Sequence, residues 1–246
     1  MIRIATGRHT LFAAVIVATI GVLAVSTRSQ DKGEVVLFNG HNFDGWTAVL
    51  ARPEVKLDDV WSVAEGGVLV CKGKGKPSGY IRFVRDDFEN YTLTLQWRFP
   101  AGTPGGNSGV LVHATTPNAL NVWPKSMEAQ LNSGQAGDIW VIGTTCEIEN
   151  AAERVKGRRH FNLTDNSEKP IGEWNDYKIV CKGDQITIWV NGDLVNHVTK
   201  CSVTKGAICL QAEGADIEFR NIRLTPADSL ICRFFNFTAF APGACR

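Results

Sequence analysis

The sequence predicts an all-β protein, a β-sandwich or jelly roll, folded as a single domain. Three observations support this fold class. Short runs with alternating apolar and polar residues recur along the chain, as in half-buried strands. Gly, Asn, Asp and Pro interrupt these runs at short intervals, and helical periodicity is scarce after residue 30. Many short strands joined by such turns are typical of β-sandwiches and jelly rolls.

The first half of the domain opens with a predicted hairpin. Residues 60–64 and 68–72 are strand-like and flank the turn Glu65-Gly66-Gly67. Residues 91–99 show the clearest alternation in the sequence, with Tyr, Leu, Leu, Trp and Phe at every second position. This pattern predicts a strand that is buried on one face.

The second half is predicted to contain a meander and two closing strands. Residues 177–182, 185–190 and 193–198 are separated by short polar turns. One of these turns is Asn191-Gly192, the strongest short hairpin signal. Residues 206–213 and 216–224 follow as strands. No linker interrupts residues 34–226, so we predict one domain over this range.

Composition excludes several protein classes. The chain is 44% hydrophobic and 21% charged, which is a globular balance rather than that of a disordered or polytopic membrane protein. It has 26 basic and 25 acidic residues, so it lacks the basic excess that nucleic-acid binding requires. It also lacks a P-loop and a G-x-G-x-x-G run after a strand, which argues against nucleotide-dependent chemistry.

Residues 1–26 are predicted to be a secretory signal peptide. Arg3 and Arg8 precede an apolar run over residues 11–25, and Ala24-Val25-Ser26 offers a small-residue cleavage site. Fifteen helical residues span about 22 Å, less than the ~30 Å of a hydrocarbon core, so cleavage is favoured over a membrane anchor. We therefore expect an exported protein, periplasmic or extracellular, that is not held at the membrane after cleavage.

The cysteines and the C-terminal tail give less information. The chain has seven Cys, and an exported chain meets an oxidising compartment in which disulfides are permitted. The odd count leaves at least one thiol free, and the sequence alone does not give the pairing. Residues 227–246 form a Phe-rich tail of unknown role, and the oligomeric state is left open.

Period two also sorts the strands into an apolar face and a second face that is rich in planar polar groups. If these strands share one sheet, their polar members line one surface. The set comprises Gln96, Arg98, His113, Glu128, Gln130, Gln211 and Glu213.

Such a surface is either solvated, as in most antiparallel sheets, or a carbohydrate site. Neighbouring loops contain Trp123, Trp140 and the Gly-rich segment around Asn107. Planar polar groups can bind sugar hydroxyls and aromatic rings can stack on sugar C–H faces, which favours a carbohydrate partner.

Seven motifs, in this order, resemble the 3-keto-disaccharide hydrolase family. They span about residues 34–225. The motifs are Leu37-Phe38-Asn39-Gly40 with Asp44-Gly45-Trp46, Asn107-Ser108-Gly109-Val110, Met127-Glu128-Ala129-Gln130-Leu131, Glu173-Trp174-Asn175, Val190-Asn191-Gly192, Leu210-Gln211, and Phe219-Arg220-Asn221-Ile222. The resemblance implies a concanavalin A-like jelly roll and cleavage of glycosides that are already oxidised at C3 of the sugar.

The implied reaction removes the C2 hydrogen beside the C3 ketone, expels the C1 substituent and then adds water. It needs a base, a group that stabilises the enolate, and an acid. Glu128 is the candidate base, and Arg98 or His113 the candidate oxyanion holder. We expect the sugar to be bound by the remaining candidates, Asn107, Trp123, Lys125, Gln130, Asp138, Trp140 and Gln211.

Several alternatives stay open. A direct two-carboxylate hydrolysis would pair Glu128 with Glu213 or Asp138. Many family members carry His where Glu213 stands, so a catalytic role at this position would differ here. Glu128, His113 and Glu213 could bind a divalent metal, although no tight spacing demands one. A non-catalytic carbohydrate-binding domain on the same fold is the competing function.

Overall fold

The computed structural model describes residues 33–164 and 166–227. The predicted signal peptide over residues 1–26 lies outside the described residues, as does all of the 227–246 tail except residue 227. Within the described part, no helix is long and apolar enough to cross a membrane.

The described chain is almost entirely β-structure. A 3-10 helix spans Leu57–Asp59 and a single α-helical turn, α1, spans Ala151–Arg154. The strands are, in chain order, β1 (Val35–Val36), β2 (Trp46–Leu50), β3 (Trp61–Ala64), β4 (Val68–Lys72), β5 (Gly79–Phe83), β6 (Tyr91–Arg98), β7 (Gly109–Ala114), β8 (Ser126–Gln130), β9 (Ile139–Ile142), β10 (Glu147–Ile148), β11 (Val155–Lys156), β12 (Arg159–His160), β13 (Asn175–Lys182), β14 (Gln185–Val190), β15 (Asp193–Thr199), β16 (Ala207–Ala212) and β17 (Asp216–Pro226).

These strands form two antiparallel sheets. Sheet I has the order β10-β15-β14-β13-β6-β17-β4-β3, with β1 paired to β17. Sheet II has the order β11-β12-β9-β8-β7-β16-β5-β2. Neighbours in each sheet are often distant in sequence, as in β6 beside β17 and β7 beside β16, which is the connectivity of a jelly roll. The predicted all-β sandwich is confirmed.

The core lies between the sheets and is built by the alternation that the sequence displays. In β6, Tyr91, Leu93, Leu95 and Trp97 are buried in the main apolar cluster, while the residues between them face outward. In β8, Met127 and Ala129 belong to the same cluster, so Glu128 and Gln130 face the opposite side of sheet II. The hairpin at residues 60–72 and the meander at residues 177–198 form as predicted.

The condition that the polar-faced strands share one sheet is met for three of the four strands. β7, β8 and β16 pair in sheet II, whereas β6 pairs with β13 and β17 in sheet I. Gln96 and Arg98 therefore lie on the far side of the sandwich from Glu128. Alternation gives the face of each residue within its strand but does not say which sheet the strand joins.

The outer face of sheet II is covered rather than solvated. A second apolar cluster lies there, formed by Tyr80, Leu111, Ala114, Trp123, Ile142, Ala207 and Cys209. Trp123 comes from the segment between β7 and β8 and packs against Tyr80, with ring centroids 6.3 Å apart. All residues of β7, β8 and β16 are buried, which is expected when both faces of a sheet are covered.

Candidate functional site

A small pocket opens on the outer face of sheet II. Its volume is about 170 Å³, and it is lined by Asn107, Trp123, Glu128, Gln130, Trp140, Ile142, Arg158 and Glu213. Strand register builds it, because Glu128 lies opposite Leu111 on one side and Trp140 on the other. Two larger depressions, of about 680 and 370 Å³, lie on sheet I, and neither is lined by a buried carboxyl.

Gly109 makes room for the polar centre of the pocket. A Cβ at this position would come within 2.9 Å of both Glu128 Oε1 and Gln211 Oε1. The two side chains therefore meet above the bare backbone of β7, where an added Cβ would force both of them to shift. The glycine of the Asn107-Ser108-Gly109 motif thus has a steric role in the site, beyond shaping a turn.

Glu128 is the most perturbed carboxyl of the pocket. It is 6% exposed, and burial raises its pKa to about 8, with the negative charge of Glu213 acting in the same direction. A hydrogen bond from Gln211 and the positive charge of Arg158 oppose this rise. Glu128 therefore holds a proton at neutral pH and becomes a comparatively strong base when it loses it.

Glu213 is the second carboxyl of the pocket. Burial raises its pKa, and the Arg158 charge lowers it. The side chain is half-buried at the mouth, whereas Glu128 lies deeper. Two carboxyls with unequal environments, within electrostatic reach of one another, are suited to divide acid and base roles.

Three polar atoms at this site lack partners. Within residues 33–164 and 166–227, the buried atoms Asn107 Oδ1, Trp140 Nε1 and Gln211 Oε1 form no hydrogen bond. Leaving such a group buried and unpaired costs on the order of 1–3 kcal/mol. Two acceptors and one donor, grouped around one carboxyl, provide the hydrogen-bonding capacity that a polyhydroxylated ligand would fill.

Arg158 is a pocket residue that the sequence did not indicate. It lies in the turn between β11 and β12, and its guanidinium carbon is 5.2 Å from the centroid of the Trp140 ring. It is the one cationic side chain among the pocket-lining residues. A Gly-Arg turn is visible in the sequence, but no local pattern shows that the turn folds over Trp140. Ile142, which also lines the pocket, was missed for the same reason.

The structure thus brings together most of the predicted site residues. Those that meet at the pocket are Asn107, Trp123, Glu128, Gln130, Trp140, Gln211 and Glu213. The side-chain oxygen of Gln130 accepts hydrogen bonds from the backbone N–H groups of Leu131 and Asn132, which fixes its orientation at the pocket wall.

Arg98 and His113 do not belong to this group, which corrects their expected role as oxyanion holders. Arg98 lies on sheet I, where Nε is 2.6 Å from Glu218 Oε2. His113 has φ 54°, and this left-handed residue breaks the alternation at the end of β7. Its ring packs edge-on against the core residue Tyr91, with each ring nitrogen 3.3 Å from a backbone carbonyl oxygen. Burial lowers the pKa of His113, and its contacts are with the core and the backbone rather than with the pocket.

Asp138 and Lys125 are also outside the pocket lining. Asp138 forms a buried ion pair with Arg159 and accepts a hydrogen bond from the Asn162 N–H at 2.7 Å. Those partners already occupy its carboxylate, so it does not pair with Glu128. Lys125 lies in the segment before β8, where its N–H donates to the Thr116 carbonyl oxygen. The described residues include no group of three or more His, Cys, Asp or Glu side chains placed to hold a metal ion.

Comparison with known proteins agrees with the resemblance drawn from the motifs. Residues 33–225 match the family described as the 3-keto-alpha-glucoside-1,2-lyase-like domain. A search of curated protein sequences finds no match.

Three solved structures show the fold. A putative glycosyl hydrolase from Parabacteroides distasonis is 22% identical, with a TM-score of 0.57 over 80% of this chain and 95% of that one. A Bacillus licheniformis beta-glucanase is 14% identical, with a TM-score of 0.53 over 81% and 100% of the two chains. The carbohydrate binding module CBM66 of Bacillus subtilis is 14% identical, with a TM-score of 0.51 over 73% and 94%. These likenesses place the chain in a concanavalin-like jelly-roll architecture.

Proposed function

The chain belongs to the 3-keto-alpha-glucoside-1,2-lyase-like domain family, and from this premise we propose that it cleaves glycosides whose sugar carries a ketone at C3. The observation that carries the proposal is the pocket on sheet II. There the buried carboxyl of Glu128 lies among unpaired polar atoms, beside a second carboxyl and a single cation. The hydroxyl groups of a bound sugar could pair with these atoms, because each is a buried donor or acceptor without a partner among the described residues.

The first step is proton abstraction at C2. The neighbouring ketone acidifies this hydrogen, and the ionised form of Glu128 removes it. The electron pair of the C–H bond moves into a C2–C3 double bond, and the ketone oxygen becomes an oxyanion. Arg158 takes the oxyanion-stabilising role, since its guanidinium is the positive charge that lines the pocket.

The second step is expulsion of the C1 substituent. The enolate electrons re-form the ketone as a double bond forms between C1 and C2 and the C1–O bond breaks. Glu213 donates its proton to the leaving oxygen. Water then adds across the double bond, with its oxygen joining C1 as Glu213 takes the water proton and Glu128 returns the first proton to C2. Both carboxyls finish as they began, and the net result is hydrolysis.

The shape of the pocket sets this division of roles. The pocket volume is about 170 Å³, and we place a single sugar ring in it with the C1 substituent towards the solvent. We assign Glu213, the more exposed carboxyl, to the leaving oxygen, and Glu128, the more buried one, to the ring. Trp123 and Trp140 supply aromatic faces for the ring, and Asn107, Gln130 and Gln211 bind and orient its hydroxyls.

We also propose that the protein works after export, in the periplasm or outside the cell. The support is the signal-peptide pattern over residues 1–26. The N-terminal sequence of protein recovered from the exported fraction tests this directly, and it is expected to begin close to residue 27. An N-terminus that retains Met1 would overturn it.

The decisive experiment uses the purified mature protein with 3-keto-trehalose, and the unoxidised parent sugar as control. Release of the sugar product from the ketone substrate alone is the expected result. Cleavage of both sugars would instead indicate direct hydrolysis by Glu128 and Glu213. Saturable binding of either sugar without product would identify a carbohydrate-binding domain. Parallel reactions with a chelator show whether a divalent metal contributes.

A further inference from the structure

Two cysteines far apart in the sequence lie side by side where the chain passes from sheet II to sheet I. Cys146 follows β9 and directly precedes β10, and Cys201 follows β15. Both are present as thiols. Cys201 belongs to the main apolar cluster, and Cys146 packs against the same cluster. Their side chains therefore point to the same side of the local ladder.

The pairing of the two segments sets the cysteines opposite one another. Glu147 lies opposite Thr199, and the Ser202 N–H donates to the Thr145 carbonyl oxygen at 2.9 Å. Between these two points, one segment has a single residue, Cys146, while the other has two, Lys200 and Cys201. Lys200 has φ 50°, the left-handed conformation of a β-bulge. Cys146 thus lies opposite the bulge formed by Lys200 and Cys201.

This juxtaposition is compatible with the geometry of a disulfide. Residues that face each other across an antiparallel ladder have Cα atoms about 4.5–5.5 Å apart, and disulfides span Cα separations of about 4.4–6.8 Å. The remaining described cysteines are less suitable. Cys71 and Cys209 are fully buried in other strands. Cys181 also lies near Cys201, but it is in the interior of sheet I, opposite Ile186 on β14 and Tyr91 on β6, rather than opposite the Lys200–Cys201 bulge.

We propose that Cys146 and Cys201 form a structural disulfide in the exported protein. The reaction oxidises two thiols to one disulfide. The two electrons and two protons pass to the disulfide of a thiol–disulfide oxidoreductase, which is reduced to its dithiol. The bond closes a loop that contains β11, β12 and the Arg158 turn, and it fixes the chain just beyond β9, the strand that carries Trp140.

The bond is expected to form during folding rather than afterwards. Burial, and then the neighbouring Cys146, raise the pKa of the Cys201 thiol to about 12, and burial raises that of Cys146 to about 11. Folded reduced protein therefore holds very little reactive thiolate. Protein folded in an oxidising compartment acquires the bond, whereas cytosolic protein that is exposed to mild oxidant after folding does not.

Non-reducing tryptic mapping of the full chain, recovered after export into a bacterial periplasm, tests the assignment. The expected product links the peptides 126–154 and 201–205 and separates into them on reduction. Both peptides recovered as alkylated thiols, or a link from Cys201 to Cys181, Cys232 or Cys245, would overturn the proposal.

Thermal unfolding gives a second test. It compares each variant with and without reductant, so a variant of lower stability can still be used. Reductant should lower the Tm of the exported protein by roughly 5–15 °C, because the closed loop restricts the unfolded chain. Cys146→Ala should lose this response to reductant, and Cys71→Ala, the matched control, should keep it. An equal response in both variants would contradict the pairing.

Discussion

The outer faces of the two sheets carry similar polar side chains, which are satisfied on one face and unsatisfied on the other. On sheet I, Gln96 donates to Asp176 at 2.7 Å and accepts from Arg220 at 2.7 Å, while Arg98 pairs with Glu218. On sheet II, the polar groups around Glu128 are buried, and three of their atoms lack partners among the described residues.

Coverage explains this difference. The outer face of sheet I is open to water, where ion pairs and amide networks form at little cost and contribute little. The outer face of sheet II lies under Trp123 and its apolar neighbours, which exclude water and amplify every charge interaction. An amphipathic strand therefore marks a candidate site only when its polar face is also buried.

The largest difference between the two faces is expected when one carboxylate is removed from each. Glu128→Gln should lower the rate of 3-keto-glucoside cleavage by about 10²–10⁴-fold, the usual contribution of a general base. Glu218→Gln, the control on sheet I, should leave the rate within about twofold. Rates of leaving-group release, with folding checked by circular dichroism, measure both. Equal rates in the two variants would remove Glu128 from the mechanism.

A second pair of variants compares the cations. Arg158→Ala should lower the cleavage rate by about 10²-fold, which is the cost of losing one oxyanion-stabilising group. Arg98→Ala should have little effect, since its guanidinium contacts Glu218 and Trp174 on the other sheet. The comparison uses kcat at saturating substrate. A loss with Arg98→Ala that matches the loss with Arg158→Ala would contradict the proposed geometry.

The pH profile of kcat/KM tests how the two carboxyls divide the acid and base roles. If Glu128 acts as the base and Glu213 as the acid, the carboxyl pair must share one proton to be active. The pair loses this last proton at about pH 8. We therefore expect kcat/KM to fall about tenfold per pH unit above pH 8. In the Glu213→Gln variant, kcat/KM should not fall above pH 8. A wild-type rate that continues to rise above pH 8 would mean that Glu128 acts without a protonated partner.

The smallest expected effect is on stability. Burial raises the folded-state pKa of Glu128 from 4.5 to about 8. Its contribution to stability is therefore fully present below pH 4.5 and is lost progressively as pH rises to about 8. Glu128→Gln should therefore increase the free energy of unfolding at pH 9 by on the order of 5 kcal/mol, with little difference at pH 4.

Urea unfolding at the two pH values measures this effect, with Glu218→Gln as control. That variant loses only a partly exposed ion pair, and the expected change is below about 1 kcal/mol at pH 9. A Glu128→Gln protein that is no more stable than wild type at pH 9 would show that the carboxyl is solvated, as the groups on sheet I are.

Much of the fold was predictable because it rests on local patterns. Alternation located the strand at residues 91–99, and Gly-rich turns located the hairpin at residues 60–72 and the meander at residues 177–198. The same alternation separated Glu128 and Gln130 from the core residues beside them. The motif order indicated the family, because it depends on the sequence alone.

The tertiary structure determines which of these polar groups come together at the pocket. Period two fixes the side of a strand to which each residue points, but strand pairing joins segments as distant as β6 and β17, and this separates Arg98 from Glu128. A single left-handed residue turned His113 into the core, and a turn far along the chain brought Arg158 over Trp140. Burial, which gives Glu128 its raised pKa, depends on what covers a face, and no strand carries that information in its own sequence.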